Sequence, residues 1–350
     1  MTERLNHMTE RRKPQADAPS AGVADALSEV LRAVRLKSAV FFDVAAKEPW
    51  CAEAPQAVEI GPYIMPGIEH VIEYHVVTSG TCFAGLVGEP AIKLEAGDII
   101  VFPQGDAHVM SSAPGMRGEL NNAHEQLGPG SLPIAMRIGD GADVSVHLIC
   151  GFLGCDARPF NPLIAHLPRV LHVPARHNRD GVVEQFVRLA LGESGSLSAG
   201  SQCMLARLSE LMFIEAVRRH LSELPNDGTG WLAGLRDPCV GHVLSKLHAQ
   251  PARDWTLAEL AREAATSRSM LAERFAQLVG IPPMQYLAQW RIQLAAGLLT
   301  GGTQSLAEIA TQVGYGSETA LSRAFKREVG VSPAHWRKGQ RVADSAEAAP

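Results

Sequence analysis

A chain of 350 residues has room for about two domains. Its 46% apolar and 20% charged residues describe a globular protein with ample core, which excludes fibrous and wholly disordered classes. The net charge of −5 argues by itself against a nucleic-acid binder, yet residues 237–340 hold eleven Lys/Arg and eight Asp/Glu, a local +3. No apolar run approaches the ~18 residues of a membrane span, so no membrane contact is expected.

Residues 1–22 are charged but lack the apolar stretch of a secretory signal, and read as a disordered leader of a cytoplasmic protein. Six cysteines (Cys51, Cys82, Cys150, Cys155, Cys203, Cys239) form no CxxC pair and no zinc-ligand spacing, so reduced, mostly buried thiols are expected. A Cys150–Cys155 redox pair is the weaker reading.

Leu27, Val30, Leu31 and Val34 predict a short amphipathic helix over residues 24–36. From Ser38 to Pro174 the chain turns to short β-rich runs broken by Gly and Pro, the pattern of a sandwich or barrel. Within it, Pro114 to Asp143 reads as a long loop. Helical periodicity returns over Gly181–Leu191 and Gln202–Leu221. In the latter, Leu205, Leu208, Met212 and Ala216 share a face that is expected to dimerise, while Arg207 and Arg218 point elsewhere. Gly and Pro in residues 224–236 read as a linker, and residues 341–350 as a disordered tail.

The β region carries Glu73, six residues, Gly80, and then Gly97, five residues, Pro103-Gln-Gly105-Asp-Ala-His108. These resemble the paired motifs of the cupin barrel. The second motif matches well, although its trailing Asn is Ser112 here. Metal-binding cupins place an HxH pattern just before the glutamate; this chain offers only His70 before it and His75 after it. Strand alternation puts Glu73 and His75 on one face and His70 on the other. Glu73, His75 and His108 are thus the most a metal could collect, and they suit a divalent transition ion. A metal-free pocket for a small molecule, with these residues in its wall and no cofactor, or histidines simply satisfied in the core, is the favoured reading.

The last third of the chain is written twice. Thr256-Leu-Ala-Glu-Leu-Ala261 returns at an offset of 49 as Ser305-Leu-Ala-Glu-Ile-Ala310. Ser267, Leu271, Phe275, Gly280, Pro283 and Tyr286 return at an offset of 50 as Ser317, Leu321, Phe325, Gly330, Pro333 and Trp336. Each copy opens with a capping box, Thr256 with Glu259 and Ser305 with Glu308. A turn and a second helix capped by Ser267 or Ser317 follow. Leu271/Phe275 and Leu321/Phe325 face inward. Ser269, Ala272, Glu273 and Gln277 face outward in one copy, and Thr319, Ser322, Arg323 and Lys326 in the other. This is the helix-turn-helix pattern, whose second helix enters the major groove of DNA. A helix from Pro283 to about Thr300 would join the two heads. Phe275, Phe325, Trp290 and Trp336 read as core rather than base-stacking groups.

Residues 237–340 resemble the DNA-binding domain of the AraC/XylS transcription regulators. The resemblance rests on LAELA…LAERF, on PPMQYLAQWRIQLAAGLL and on SLAEIATQVGYGSETALSRAFKREVGVSPAHWR. It implies an α+β multidomain chain: a cupin-like β-barrel sensor over residues 23–174, a helical connector or dimerisation segment over 175–223, and an all-α domain with two helix-turn-helix motifs over 237–340. The family's base-contacting positions fall on Ser269, Ala272, Glu273, Thr319 and Arg323. Backbone contacts are expected from Arg268, Arg274, Ser317, Ser322, Lys326, Arg327 and Lys338; Arg291, Lys326, Arg327, Arg337 and Lys338 read either as phosphate clamps or, equally, as solvated surface charges. Implied partners are double-stranded DNA, a small-molecule effector, a second copy of the chain and, for an activator, RNA polymerase. Glu273 departs from the Arg common there. An ionised Glu accepts from cytosine N4 but cannot donate to guanine or phosphate. The alternative is a metal-dependent cupin enzyme, a dioxygenase or isomerase, with an appended helical domain.

Overall fold

The structure, a computed structural model, describes residues 25–34, 36–118, 134–156, 159–175, 199–225 and 228–338, with residues 185 and 189 between them. The expected leader, tail and helix at 181–191 lie outside this set, apart from those two residues.

The first helix, α1 (Ala26–Ala33), is capped by Asp25, whose carboxylate accepts from the Leu27 amide at 3.0 Å. Its face of Leu27 and Val30 is buried. A nine-stranded sheet follows: β1 (Lys37–Lys47), β2 (Cys51–Ala54), β3 (His70–Leu86), β4 (Ile92–Glu95), β5 (Ile99–Phe102), β6 (His108–Ser111), β7 (Ile134–Ile138), β8 (Val144–Cys155) and β9 (Leu171–Val173). β3 is its spine, pairing with β8 along His70–Gly80, with β5 at Glu73–Val76 and with β4 and β6 beyond Gly80. Sharing one strand between two pairings curls the sheet around an interior.

Alternation divides that strand cleanly. Ile72, Tyr74 and Val76 pack outward against helices, while Val71 and Val77 join the interior core with Leu148, Phe152, Ile100 and Phe102. Both faces are covered, which is why the central run of β3 is nearly all buried. A short helix, α2 (Ala57–Ile64), sits against β3, with Ile60 and Ile64 in the interior core. Gly105 turns with φ +67°, and a Cβ there would lie 2.6 Å from that of Ala57.

The structure corrects several expectations. Residues 134–138 are not loop: they form β7, parallel to β1. Cys150 and Cys155 lie on one strand, Cys150 with the interior core and Cys155 with the outer one, roughly 16 Å apart along β8. They cannot pair. Beyond α3 (Pro162–His166), the long helix α4 (Ser201–Glu223) buries Leu205, Leu208, Met212 and Ala216 within the chain itself. That stripe is therefore no dimer surface; it covers the outer face of the sheet, and Ser209 meets the Tyr74 hydroxyl at 2.6 Å.

The expected linker also departs from its pattern. Trp231–Arg236 is a helix, α5, with Trp231 and Leu232 buried, leading straight into α6 (Pro238–Ala249). Burial of a large indole outweighs the local Gly and Pro signals. Then come α7 (Leu257–Glu263), α8 (Arg268–Val279), α9 (Pro283–Gly301), α10 (Leu306–Val313) and α11 (Glu318–Val329). Among the described residues no helix is long and apolar enough to cross a membrane.

Candidate nucleic-acid interface and sensor cavity

Each head is assembled by its caps. The Thr256 amide donates to Glu259 at 2.9 Å while the Glu259 amide donates to the Thr256 hydroxyl at 3.2 Å. Ser305 and Glu308 repeat this at 2.7 and 3.3 Å. These backbone hydrogen bonds hold the carboxyls of Glu259 and Glu308 below their ordinary range. Both turns need a left-handed residue: Gly314 at φ +85° in the second head and Ala265 at φ +50° in the first. The next amide then closes the turn in each, Thr266 to the Ala261 carbonyl at 2.9 Å and Tyr315 to the Ala310 carbonyl at 2.8 Å.

The second helices, α8 and α11, start under Ser267 and Ser317, whose hydroxyls accept from the Met270 and Ala320 amides at 3.2 and 3.1 Å. They end at left-handed Gly280 and Gly330. Leu271 and Phe275 are buried in one, Leu321, Ala324 and Phe325 in the other. Arg268, Ser269, Glu273 and Gln277 stand exposed on α8, as do Thr319, Arg323, Lys326 and Arg327 on α11; Ala272 and Ser322 are half-buried. Lys338, past α11, is exposed as well. Phe275, Phe325, Trp290 and Trp336 are all buried.

Three arginines have other employment. Arg274 lies against Asp237, the cap of α6, with Nε 3.0 Å and a terminal nitrogen 2.9 Å from one carboxylate oxygen. It is therefore held toward α6 rather than free for phosphate. Arg291 donates to the carbonyls of Pro251 and Arg253 at 2.7 and 2.8 Å, and Arg337 to that of Gln304 at 2.7 Å. These two hold the frame. The Asp237-Pro238 pair is a readable helix start, but nothing in its spacing announces Arg274 as its partner.

The joining helix α9 spans 19 residues, about 28 Å. Tyr286, Leu287 and Trp290 on its first half enter the large core shared with α1, α4, α5 and the sheet. Ile292, Ala295, Ala296 and Leu299 on its second half enter a separate core with Ile309, Leu321, Phe325 and Trp336. The first head is thus packed into the β-sheet domain, and the second stands on the far half of α9. Phe160, which precedes α3, seals the junction: its amide donates to Gln293 at 2.9 Å and its ring meets Tyr286 edge-on at 5.4 Å.

Inside the curled sheet lies a cavity of about 90 Å³. Its walls are apolar, including Phe42, Trp50, Ile60, Met110, Met136 and Phe152, with a polar patch of Glu73, His75, His108 and Cys150. Burial raises the Glu73 carboxyl to about 8 and lowers His108 to about 4; His75 falls well below its usual value through burial and then through His108. All three are therefore neutral near pH 7. His70 stays outside the group, its ring nitrogen 2.6 Å from the Pro103 carbonyl oxygen. Trp50 and Cys150 are wall residues that motif matching did not find, because neither belongs to a spaced pattern.

A cupin family model matches residues 25–222, and a helix-turn-helix domain model matches residues 260–339. An AraC-like transcription regulator of Streptomyces lividans is 35% identical over 320 residues, covering 90% of this chain and 98% of its own. One from Streptomyces antibioticus is 36% identical over 321 residues, with coverages of 90% and 98%. The HTH-type transcriptional regulator AlkR of Acinetobacter baylyi is 28% identical over 319 residues, covering 90% and 99%. Among solved structures, the DNA-binding domain of AdpA in complex with a target DNA is 32% identical over 30% of this chain and 95% of its own, with a TM-score of 0.29.

Proposed function

The chain belongs to the AraC-like family of DNA-binding transcription regulators and is no enzyme, and on that premise we propose how it reads DNA and what it senses. The two heads bind adjacent major-groove faces of one promoter. Their joining helix of about 28 Å is commensurate with the ~34 Å that separates successive turns of the groove. The observation that carries this reading is the pair of capped helices, α8 and α11, each with a buried apolar face and an exposed polar one.

The heads divide the work unequally. Arg323, exposed and in no ion pair among the described residues, makes the stronger base contact, while Lys326, Lys338 and, once released from Glu328, Arg327 lie along phosphate. Glu273 restricts the first head to accepting, as from cytosine N4. With a modest local charge of +3, affinity needs both heads or two copies of the chain. A second copy would meet the outer side of α4, where Met204 and Leu211 are exposed one above the other. The cavity takes a compact, mostly apolar effector, whose binding shifts the population of head placements that fit the promoter.

Selection of bound duplexes from a random pool with the full chain tests the reading. The expected result is a two-part site with half-sites one helical turn apart, bound with steep salt dependence. Binding indifferent to sequence at every salt concentration defeats it.

A further inference from the structure

The polar patch of the cavity has a geometry that an apolar effector does not use. Glu73, His75 and His108 are 3%, 8% and 1% exposed, and each offers a donor atom within 4.8 Å of the others. Glu73 and His75 are inward positions of β3, and His108 begins β6. The two Nε2 atoms are 2.7 Å apart, and His108 Nε2 is 3.8 Å from Glu73 Oε2.

The protonation pattern follows from the partners. His108 Nδ1 lies 3.0 Å from the Asp106 carbonyl oxygen, which can only accept. His108 therefore carries its proton on Nδ1 and points an Nε2 lone pair at His75. His75 answers with an N–H from its own Nε2, which leaves its Nδ1 bare. That atom and Glu73 Oε1 are both buried without a hydrogen-bond partner. Two unsatisfied atoms in one small apolar enclosure are costly, and native interiors rarely leave them so.

A cation held by both Nε2 atoms and the Glu73 carboxylate gives that buried carboxyl a partner, while His75 Nδ1 stays without one, as a donor instead of an acceptor. Around a tetrahedral ion with bonds of about 2.0–2.2 Å, neighbouring donors stand roughly 3.3–3.5 Å apart. The separations of 2.7 and 3.8 Å fall on either side of that and the third lies within 4.8 Å, so the donors would have to shift by about half an ångström to about 1.4 Å. Two imidazoles and a carboxylate suit zinc, iron, cobalt or nickel rather than calcium or magnesium. The carbonyl on His108 Nδ1 is the outer-shell partner that orients a ligating histidine. The set differs from the cupin pattern in drawing its second histidine from two positions after the glutamate.

We propose that the sensor cavity binds one divalent transition-metal ion through the Glu73 carboxylate and the Nε2 atoms of His75 and His108, with an open coordination position facing the apolar wall. On binding, the His75 proton moves from Nε2 to Nδ1, and a protonated Glu73 releases its proton to solvent. The metal site stands on its own geometry; only its bearing on promoter binding rests on the sensing role assigned above.

The test is a cobalt(II) titration of untagged, chelator-stripped full-length protein. One equivalent should bind, with visible ligand-field bands of a low-coordinate centre that zinc(II) abolishes. Glu73→Gln and His108→Asn should each weaken binding by more than the ~10–100-fold that loss of an outer-shell partner costs. No uptake by folded protein, or uptake that both folded variants retain, overturns the site. An intense thiolate charge-transfer band would bring Cys150 into the ligand set and overturn the assignment of ligands. Should the variants not fold, X-ray absorption of the cobalt-loaded wild type reads the shell directly: two imidazoles and a carboxylate are expected, and a hydrated ion defeats the proposal. Sequence-selective DNA binding by protein that takes no metal retires the metal site and leaves the regulator reading intact.

Discussion

The two heads are near copies in their caps and opposites in their surroundings. Thr256/Glu259 and Ser305/Glu308 close the same reciprocal bonds, Ser267 and Ser317 cap the same way, and Gly280 and Gly330 end their helices with the same left-handed turn. Yet the first head shares its core with the cupin-like domain, whereas the second builds its own on the far half of α9. What is repeated is what a helix-turn-helix needs to fold. What differs is the setting of each: one head is anchored in the core of the cupin-like domain, and the other carries the outward Arg323.

The comparison breaks most sharply at the turns. Gly314→Ala places a Cβ 2.7 Å from the Ala252 backbone at φ +85°. Left-handed strain plus overpacking should destabilise the second head by about 2–4 kcal/mol, read as a lower denaturation midpoint. A midpoint unchanged from wild type would mean that the turn relaxes freely. At the reading face, Arg323→Ala should weaken binding to the selected site by about 1–3 kcal/mol and relax preference at one base position. Glu273→Ala should cost less, and Glu273→Arg should move the preference at its position away from cytosine. Equal losses from Arg323→Ala and Glu273→Ala would erase the division of labour.

Acid should separate the heads next. His248 lies in the first head's core, 2.7 Å from the Tyr286 hydroxyl, and burial lowers it to about 3. Trp231, Tyr286 and Trp290 surround the ring, and none of them supplies a counter-charge. A folded value below the unfolded one means stability that is complete above about 6.5 and drains away as pH falls toward 3. Near pH ~5.5 the loss should be about 1.4 kcal/mol. The second head has Leu298 fifty positions on and no buried histidine among its described residues. Amide exchange should therefore quicken with acid in α6 and α9 before α10 and α11, and simultaneous loosening would sink the idea. The smallest effect is the reverse swap: Ala265→Gly should relieve the turn at φ +50° and stabilise the first head by up to about 1 kcal/mol. A destabilised variant would show that the freedom gained by the unfolded glycine outweighs that relief.

Much of this was legible because local chemistry decides it. Capping boxes, the Ser caps and the i, i+4 pairs Leu271/Phe275 and Leu321/Phe325 are written within a few residues. So is the alternation of β3 that turns Glu73 and His75 together and His70 away. Features set by distant partners were not. Trp231 forms a helix where Gly and Pro suggest a linker, because the core beneath it draws the indole in. The α4 stripe resembles a dimer seam only until the outer face of the sheet supplies what it covers. Arg274 looks like a phosphate contact until Asp237, 37 positions earlier in sequence, claims it.

The Phe160 contact has a mechanical corollary. Tyr286 sits on the near half of α9 and Gln293 just past its middle, and the rod continues about 12 Å past Gln293 to Gly301. An uninterrupted helical rod transmits tilt rather than absorbing it. A pivot of only ~5° about Gln293 would swing the tip of that 12 Å arm by about 1 Å. A displacement of that size exceeds the tolerance of a bidentate hydrogen bond to a base edge. Small repacking beside one phenylalanine could thus bring the distant arginine into register or lift it out.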